Sequence, residues 1–562
     1  MFRLYDQNKN TNIQPEKQLK PLHRSIYSLI PLNIFQTWHS LELPDKMREN
    51  SELLQKDNPE FSYYLYDDQM CRDFIQTHFD EETVWAFDKL KPGAYKADLW
   101  RYCVLYIHGG IYLDIKYRCV NHFKLIQLTD KEYWVKDRKM DIDGIYQALM
   151  VTYPNNNILK QAIQKIIEYC RYNVYSLNAL AISGPTLLGT IFNEIEINRL
   201  ILTFGCGGII KDTIPILQEY IEYRSEQQDT QNTLHYGMLW ESLDCFHYPT
   251  LMSVKKYNLS KNIEKNIDDN NFIYNASIPI IYSKNDEIVI HLEYIHHYYH
   301  DGVKVYSAIE NQCLYSQSTI DFHLENHKEE VFYDFDNTTA HNLRLIQCDD
   351  SIYYIVDLLN KQSNRFYISS NEFIIENDTI NINYINQTRY CNKNPINNIS
   401  FFQYNNELSI VYKWFPLQIG KIDYTNQRLV IDAIKYNTPQ WFEDITSATM
   451  GVSYKNEIWF ILCSEKRNFN KLNNKRYFSH KHIFAIFDSD MKIKKYSEFF
   501  SFDGHKNEFC KSFVIKDEQI IIGYGLSNRE CYIASYEIDS LFTQLKWFNV
   551  QGNQCSLKIP PI

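Results

Sequence analysis

ADLWRYCVLYIHGGIYLDIK, residues Ala97 to Lys116, reads as a helix, a turn and a strand in immediate succession. Gly109 and Gly110 break the helix, because paired glycines take the left-handed conformation that ends one, and Pro92 upstream suits a first helical turn. The short apolar run Ile111 to Leu113 then forms a strand that ends in Asp114. Asp98 and Arg101 stand three apart, so they are neighbours on one helical face and can grip a single ligand together. Ligands of open α/β sheets collect beyond the carboxyl ends of strands, which is where Asp114 sits. Each residue alone has an ordinary explanation, since an acid and a base three apart are usually a solvated pair and a strand-terminal Asp is often a turn residue. As one ordered block they point to a shared binding site.

Working outward, the stretch from Ile30 to about Pro249 alternates apolar strands with amphipathic helices such as Ile158 to Tyr172, the pattern of an α/β domain. After Phe272 the pattern changes to short strands separated by turn residues. Five related strands recur there: DEIVIHLEY from Asp286, DSIYYIVDL from Asp350, NELSIVYKW from Asn406, NEIWFILCS from Asn456 and DEQIIIGYG from Asp517. Each has an acidic or amide turn before an apolar or alternating strand, at the spacing of propeller blades, so five blades are expected, with a β-sandwich as the alternative. The predicted fold class is α/β plus all-β. The expected divisions are an N-terminal extension over 1–28, an α/β domain over 29–257, a polar linker over 258–271 and an all-β domain over 272–562.

The Ala97 to Lys116 block resembles glycosyltransferase family 32, the sugar-binding-region transferases with an Asp-x-Asp motif, and the catalytic domains of the large clostridial glucosylating toxins. Further segments resemble that family in order: IPLNIFQTW (Ile30 to Trp38), DNPEFSYYLYDD (Asp57 to Asp68), GIYQALMVTYPNN (Gly144 to Asn156) and SGPTLLG (Ser183 to Gly189). The resemblance implies a Rossmann-like nucleotide-sugar-binding domain of the GT-A type. It implies that Asp98, Arg101 and Asp114 carry the chemistry, with Asp98 and Arg101 on the donor sugar's hydroxyls. Gln36, Thr37 and Trp38 would line the nucleobase pocket, and Tyr112 and Lys116 would complete the donor site. Asp114 would be the first carboxylate of Asp-x-Asp, near the ribose and a Mn2+ or Mg2+ ion, with His235 in HYGMLW as an additional metal ligand. Two positions depart from the pattern. Lys116 stands where many members carry the second Asp, and Phe35 replaces a common His. A protonated lysine cannot coordinate a cation, so either Asp114 holds the metal with diphosphate oxygens and another side chain, or Lys116 itself neutralises part of the phosphate charge; a retained, loosely held metal is expected.

The C-terminal half resembles the five-bladed propellers related to glycoside hydrolase family 130. The matching runs are NASIPIIYSKNDEIVIHLEY (Asn275 to Tyr294), KWFPLQIG (Lys413 to Gly420), NEFC (Asn507 to Cys510) and IIIGYGLSN (Ile520 to Asn528). Where those propellers commonly read Glu-Asp-x-Arg, this chain has His341, Asn342, Leu343 and Arg344, and Asn528 replaces a common Asp. Glycoside cleavage ordinarily needs a carboxylic acid with a second carboxylate or phosphate. The losses therefore favour a glycan-binding or acceptor-positioning module, with Glu508 remaining as a candidate acid. Trp414, Trp441 and Trp459 are read mainly as packing between blades rather than as sugar-stacking platforms.

The chain of 562 residues exceeds a single core, and its net charge of -11 argues against a nucleic-acid or anionic-membrane partner. No apolar run approaches a membrane span and the first residues lack a signal peptide's apolar centre, so a cytoplasmic location is expected. The thirteen cysteines show no paired metal spacing. The resemblance implies a retaining transfer of a hexose from a UDP- or GDP-sugar donor to a glycan or glycoprotein acceptor. Two rival readings are a non-catalytic glycan-binding protein and a bifunctional enzyme whose propeller still cleaves or phosphorolyses mannosides.

Overall fold

The computed structural model describes residues 28–550 except 139–142, 231–232, 268–269, 285, 296–297, 301–302, 306–313, 329–330, 334–339, 349–350, 361–362, 370–373, 377–398, 405–406, 424–427, 471–474 and 528–529. Nearly all of the expected N-terminal extension, and Asn528, thus lie outside the described residues. The chain divides into two compact units. The first runs up to Trp240 and takes in Asp244–His247, and the second comprises Glu241–Leu243 and the chain from Tyr248 onward.

In the first unit the elements follow as β1 (Asn33–Thr37), α1 (Asp45–Asp57), β2 (Ser62–Tyr66), α2 (Asp68–His78), α3 (Glu81–Lys89), α4 (Gly93–His108), β3 (Gly110–Leu113), β4 (Tyr117–Cys119), β5 (Tyr133–Lys136), β6 (Ile145–Thr152), α5 (Asn157–Tyr172), β7 (Leu202–Gly205), β8 (Gly208–Lys211) and β9 (Ile214–Glu219). The strands form one mixed sheet in the order β2-β1-β3-β6-β5-β7-β8-β9-β4. β1 pairs in parallel with both β2 and β3, whereas β3 and β6 run antiparallel. All four residues of β3 are buried, as its unbroken apolar run requires of a strand covered on both faces. Ile34, Ile111, Leu113, Leu149 and Val151 share the core around it.

The quoted block folds as its residues dictate. α4 buries Tyr95 and every residue from Asp98 to Leu105, so Asp98 and Arg101 point into protein rather than onto a solvated face. Gly109 and Gly110 both have positive φ, at 60° and 113°. A Cβ on Gly109 would stand 2.7 Å from Pro154, and one on Gly110 would stand 2.8 Å from the Asn33 carbonyl. Conformation and close packing both demand glycine there, and together they bring α4 back onto the sheet so that β3 starts beside β1.

The second unit is propeller-like. Its described residues form five sheets of four or more strands plus a two-stranded ribbon. The five recurrent strands fall in five different sheets, as Glu287–Ile295, Ser351–Asn360, Glu407–Trp414, Glu457–Asn470 and Gln519–Leu526, each flanked by strands on both sides. The acidic and amide turn residues have a physical reason. Lys455 and Asn456 both have positive φ, as do Asp517 and Glu518, the geometry of tight two-residue hairpins whose twist matches the strands. Strand Lys255–Asn258 pairs with Glu530–Glu537 and so closes the last sheet with the start of the unit. The stretch expected to be a linker, 258–271, instead carries strand Asn262–Ile267, which pairs antiparallel with Asn270–Ala276. Its many polar residues hid the alternation that marks a strand.

Trp414, Trp441 and Trp459 are 2%, 4% and 2% exposed, so all three are core residues. Trp414 packs on Phe460 and Phe487, and Trp459 on Phe484 and Phe542.

Candidate functional site

At the carboxyl end of β3, four charged side chains meet. Arg101 Nη2 lies 3.3 Å from Asp98 Oδ1, and Arg101 Nη1 lies 3.6 Å from Asp114 Oδ1. Lys116 Nζ is 2.8 Å from Asp114 Oδ2. The Tyr112 hydroxyl donates to Asp114 Oδ1 at 2.9 Å, and the Arg101 guanidinium stacks over the Tyr112 ring at 4.3 Å. β6 supports the cluster from the other side. The Gln147 carbonyl accepts from Arg101 Nη1 at 3.3 Å, and the Ala148 carbonyl accepts from the Asp114 backbone N–H at 2.8 Å. The Ser183 hydroxyl donates to Asp98 Oδ2 at 2.7 Å, while the Ser183 carbonyl accepts from Tyr102 and Gln147.

Burial pushes the Asp98 carboxyl up to about 7, against the pull of Arg101 and the Ser183 hydrogen bond. Burial would also raise Asp114, but Lys116 and Arg101 beside it outweigh that and hold it down at about 2. Two carboxylates on one cation therefore differ in character: Asp114 is ionised at neutral pH and Asp98 is poised. If ionised Asp98 accepts a hydrogen bond from substrate, kcat/KM rises with pH through an acid limb near that value. Ser183→Ala removes a donor to the charged form and moves the limb upward by roughly one unit, since hydrogen bonds to charged groups are worth about 1.5–3 kcal/mol. An unmoved limb in a pH–rate profile would show that Asp98 does not control it.

The three residues expected at a nucleobase occupy different positions. Gln36 is fully buried; its Nε2 donates to the Leu113 carbonyl at 3.1 Å and its Oε1 accepts from Tyr63 at 2.7 Å, which fastens β1 to β3 on one side and β2 on the other. Thr37 Oγ1 donates to the Tyr66 carbonyl at 2.9 Å. Trp38 is 8% exposed and shares a cluster with Met47, Ile115, Tyr220 and Tyr223. Phe35 stacks on Tyr64 and His108.

The expected Mn2+ or Mg2+ meets a donor set that does not fit it. Such an ion takes hard oxygen ligands at about 2.0–2.1 Å for Mg2+, in near-ideal octahedral geometry. Both Asp114 oxygens already face donors: Tyr112 and Arg101 on one, Lys116 on the other. Among the described residues no group of three or more His, Cys, Asp or Glu side chains is arranged to hold a metal ion. His235 is exposed; its Nδ1 accepts from the Gly237 N–H at 3.1 Å and its ring lies against Tyr236.

Residues 44–136 match the profile of a family described as the glycosyltransferase sugar-binding region containing DXD motif. The N-terminal unit thus contains a stretch that resembles that sugar-binding region. Inositol phosphoceramide mannosyltransferase 3 of Schizosaccharomyces pombe is 29% identical over 168 residues, 29% of this chain and 45% of that protein. Mannosyl phosphorylinositol ceramide synthase SUR1 of Saccharomyces cerevisiae is 26% identical over 189 residues, 33% of this chain and 46% of that protein. The chain thus spans about half the length of these curated relatives. A glycosyl hydrolase structure from Bacteroides ovatus aligns with 50% of this chain and 89% of its own, at 11% identity and a TM-score of 0.33.

In the first unit the sequence singled out Asp98, Arg101, Asp114, Lys116 and Tyr112, and the structure gathers these five. It did not single out Ser183, Gln147 or Tyr146. Lys116 Nζ lies 5.6 Å from the Tyr146 ring centroid and 5.3 Å from that of Tyr117. Ser183 was within reach of sequence reading as a hydroxyl just before the Gly-Pro turn, but nothing local tied it to Asp98, 85 positions away.

In the propeller-like unit the one candidate acid is committed elsewhere. Glu508 is fully buried, and its carboxylate accepts from the Ser501 hydroxyl at 2.8 Å and from the backbone N–H groups of Phe502, Asp503 and His505 at 2.5, 2.9 and 2.8 Å. It ties down the 501–505 loop and has no free edge toward a departing glycosidic oxygen. Glu508→Gln turns an amide N–H toward these donors and destabilises the unit by about 2 kcal/mol. An unchanged denaturation midpoint would contradict this role. His341, Asn342, Leu343 and Arg344 fall in strand Ala340–Cys348, with side chains outside the described residues.

Proposed function

We propose that this chain transfers a hexosyl group from a UDP- or GDP-sugar to a hydroxyl of a glycan or glycoprotein, and that the propeller-like unit binds or positions that acceptor. The observation that carries the reading is the quartet at the tip of β3, with Asp98 and Arg101 buried and Asp114 and Lys116 half-buried, inside the region that matches the sugar-binding family. Asp98 and Arg101 hold sugar hydroxyls and fix the near-attack geometry. The acceptor oxygen bonds to the anomeric carbon as the bond from that carbon to the diphosphate oxygen breaks. The bonding pair leaves on the diphosphate, which takes the acceptor's proton. Attack from the same face retains the anomeric configuration.

Several relatives are named mannosyltransferases, which makes mannose the first donor sugar to test. The commitment of Glu508 to a structural loop supports a binding role for the second unit rather than hydrolysis. No helix of the described residues is long and apolar enough to cross a membrane, and we place the activity in the cytoplasm as part of this proposal. The test is donor turnover by the full chain over a panel of UDP- and GDP-sugars, with mannosides, glycoproteins and inositol-containing lipids as acceptors. Product formation with retained configuration supports the reading. No turnover of any donor, with or without acceptor or divalent metal, refutes it and leaves the glycan-binding alternative.

A further inference from the structure

The position two residues after Asp114 is occupied by a cation of the chain itself. The segment turns directly after β3, with the Tyr117 N–H donating to the Asp114 carbonyl at 3.0 Å, and this turn folds Lys116 back to the Asp114 carboxylate. The lysine side chain is 13% exposed, and its ammonium lies 5.3 Å and 5.6 Å from the ring centroids of Tyr117 and Tyr146. Its backbone is fixed as well, because the Lys116 carbonyl accepts from the Tyr220 N–H at 3.1 Å. This is a built and oriented positive charge rather than a surface lysine.

Resting on the transferase reading above, we propose that the Lys116 ammonium takes the place of a divalent cation at the donor's diphosphate, so that this chain binds and uses its donor without added metal. The charge count supports the assignment. Two carboxylates, Asp98 and Asp114, face two cations, Arg101 and Lys116, and with Asp98 ionised the formal sum is zero. With an Asp at 116 the same count would be three carboxylates against one cation, and a diphosphate could approach only with a metal to offset them. Here that requirement is removed in advance. One of the three ammonium N–H donors goes to Asp114, and among the described residues the other two have no hydrogen-bond partner, so they are free for phosphate oxygens. As the anomeric bond breaks, negative charge grows on the diphosphate beside a fixed positive group, which stabilises it without reorganisation.

The test uses the full chain in EDTA and in Mn2+, with two readouts. The first is calorimetric binding of UDP, GDP, uridine and guanosine; the second is turnover of the preferred nucleotide sugar. The expected result is that the wild type binds the preferred nucleoside diphosphate and turns over its donor equally in EDTA and in Mn2+. Lys116→Met weakens diphosphate binding roughly tenfold with nucleoside binding unchanged, and Lys116→Arg recovers most of it. Lys116→Asp makes both binding and turnover depend on Mn2+. If the wild type binds the diphosphate and transfers sugar only with Mn2+, or if Lys116→Met binds it as the wild type does, the proposal fails while the transferase reading stands. If nothing binds or turns over under either condition, both fall together.

Discussion

Asp114→Asn lowers donor turnover by roughly a thousandfold, the upper range seen when one fixed electrostatic partner is taken from a reacting centre, while the melting temperature falls by only about 5 °C, because a carboxyl held at about 2 contributes about 2 kcal/mol to stability at neutral pH. The asymmetry follows from where the charge acts. Asp114 holds the Lys116 ammonium at 2.8 Å and faces Arg101 at 3.6 Å, and without its charge neither cation keeps its aim. Asn preserves the shape and can still accept from the Tyr112 hydroxyl, so the packing around β3 survives. Arg101 retains Asp98, and the partly exposed Lys116 can turn its ammonium to water, so no cation is left stranded in the core. Turnover within tenfold of wild type would show that Asp114 does not organise the reacting groups. A fall in melting temperature well beyond that would show that its role is structural instead.

Those residues were legible because their geometry is local. Three positions on a helix, a glycine pair and a strand of three apolar residues fix where Asp98, Arg101 and Asp114 point, with no knowledge of the rest of the chain. The five sheets were legible for the same reason, since a tight turn followed by an apolar strand announces each one. Lys116 was visible as a departure from Asp-x-Asp, but its pairing with Asp114 required the backbone turn at 115–117, which residue identities do not encode. Gln36 is the converse case. A glutamine before Thr-Trp reads as a ligand contact, yet its amide joins two strands by bonds to Leu113 and Tyr63, partners 77 and 27 positions away. Ser183 and Glu508 likewise take their roles from distant or fully buried partners. Polar residues that satisfy the interior and polar residues that serve a ligand look alike in sequence. Only the count of their hydrogen bonds separates them.

Arg101→Met is expected to produce the largest loss of stability of any single change at the site, about 3–5 kcal/mol at neutral pH, because removing one partner of a buried ion pair leaves its charge uncompensated. For a domain of this size that corresponds to roughly 10 °C in melting temperature. Methionine fills much of the volume over Tyr112, so the loss reports charge rather than a cavity. The pH dependence provides the check. In the wild type the folded-state value of Asp98 stands at about 7, above its ordinary 3.8, so the folded state binds the extra proton and this group's contribution favours folding at low pH and fades as pH rises toward 7. Asp114, held at about 2, acts in the reverse sense; its contribution is present above 3.8 and is lost as pH falls through 2. Without Arg101, burial raises Asp98 further, and Asp114 loses one of the two cations that hold it down. The variant's deficit should therefore shrink from pH 8 to pH 5 as Asp98 takes up its proton. Melting curves at the two pH values measure this directly. A deficit of equal size at both would mean that Arg101 supports the fold through packing, and that the carboxylates beside it are not the reason a buried guanidinium is kept between helix and strand.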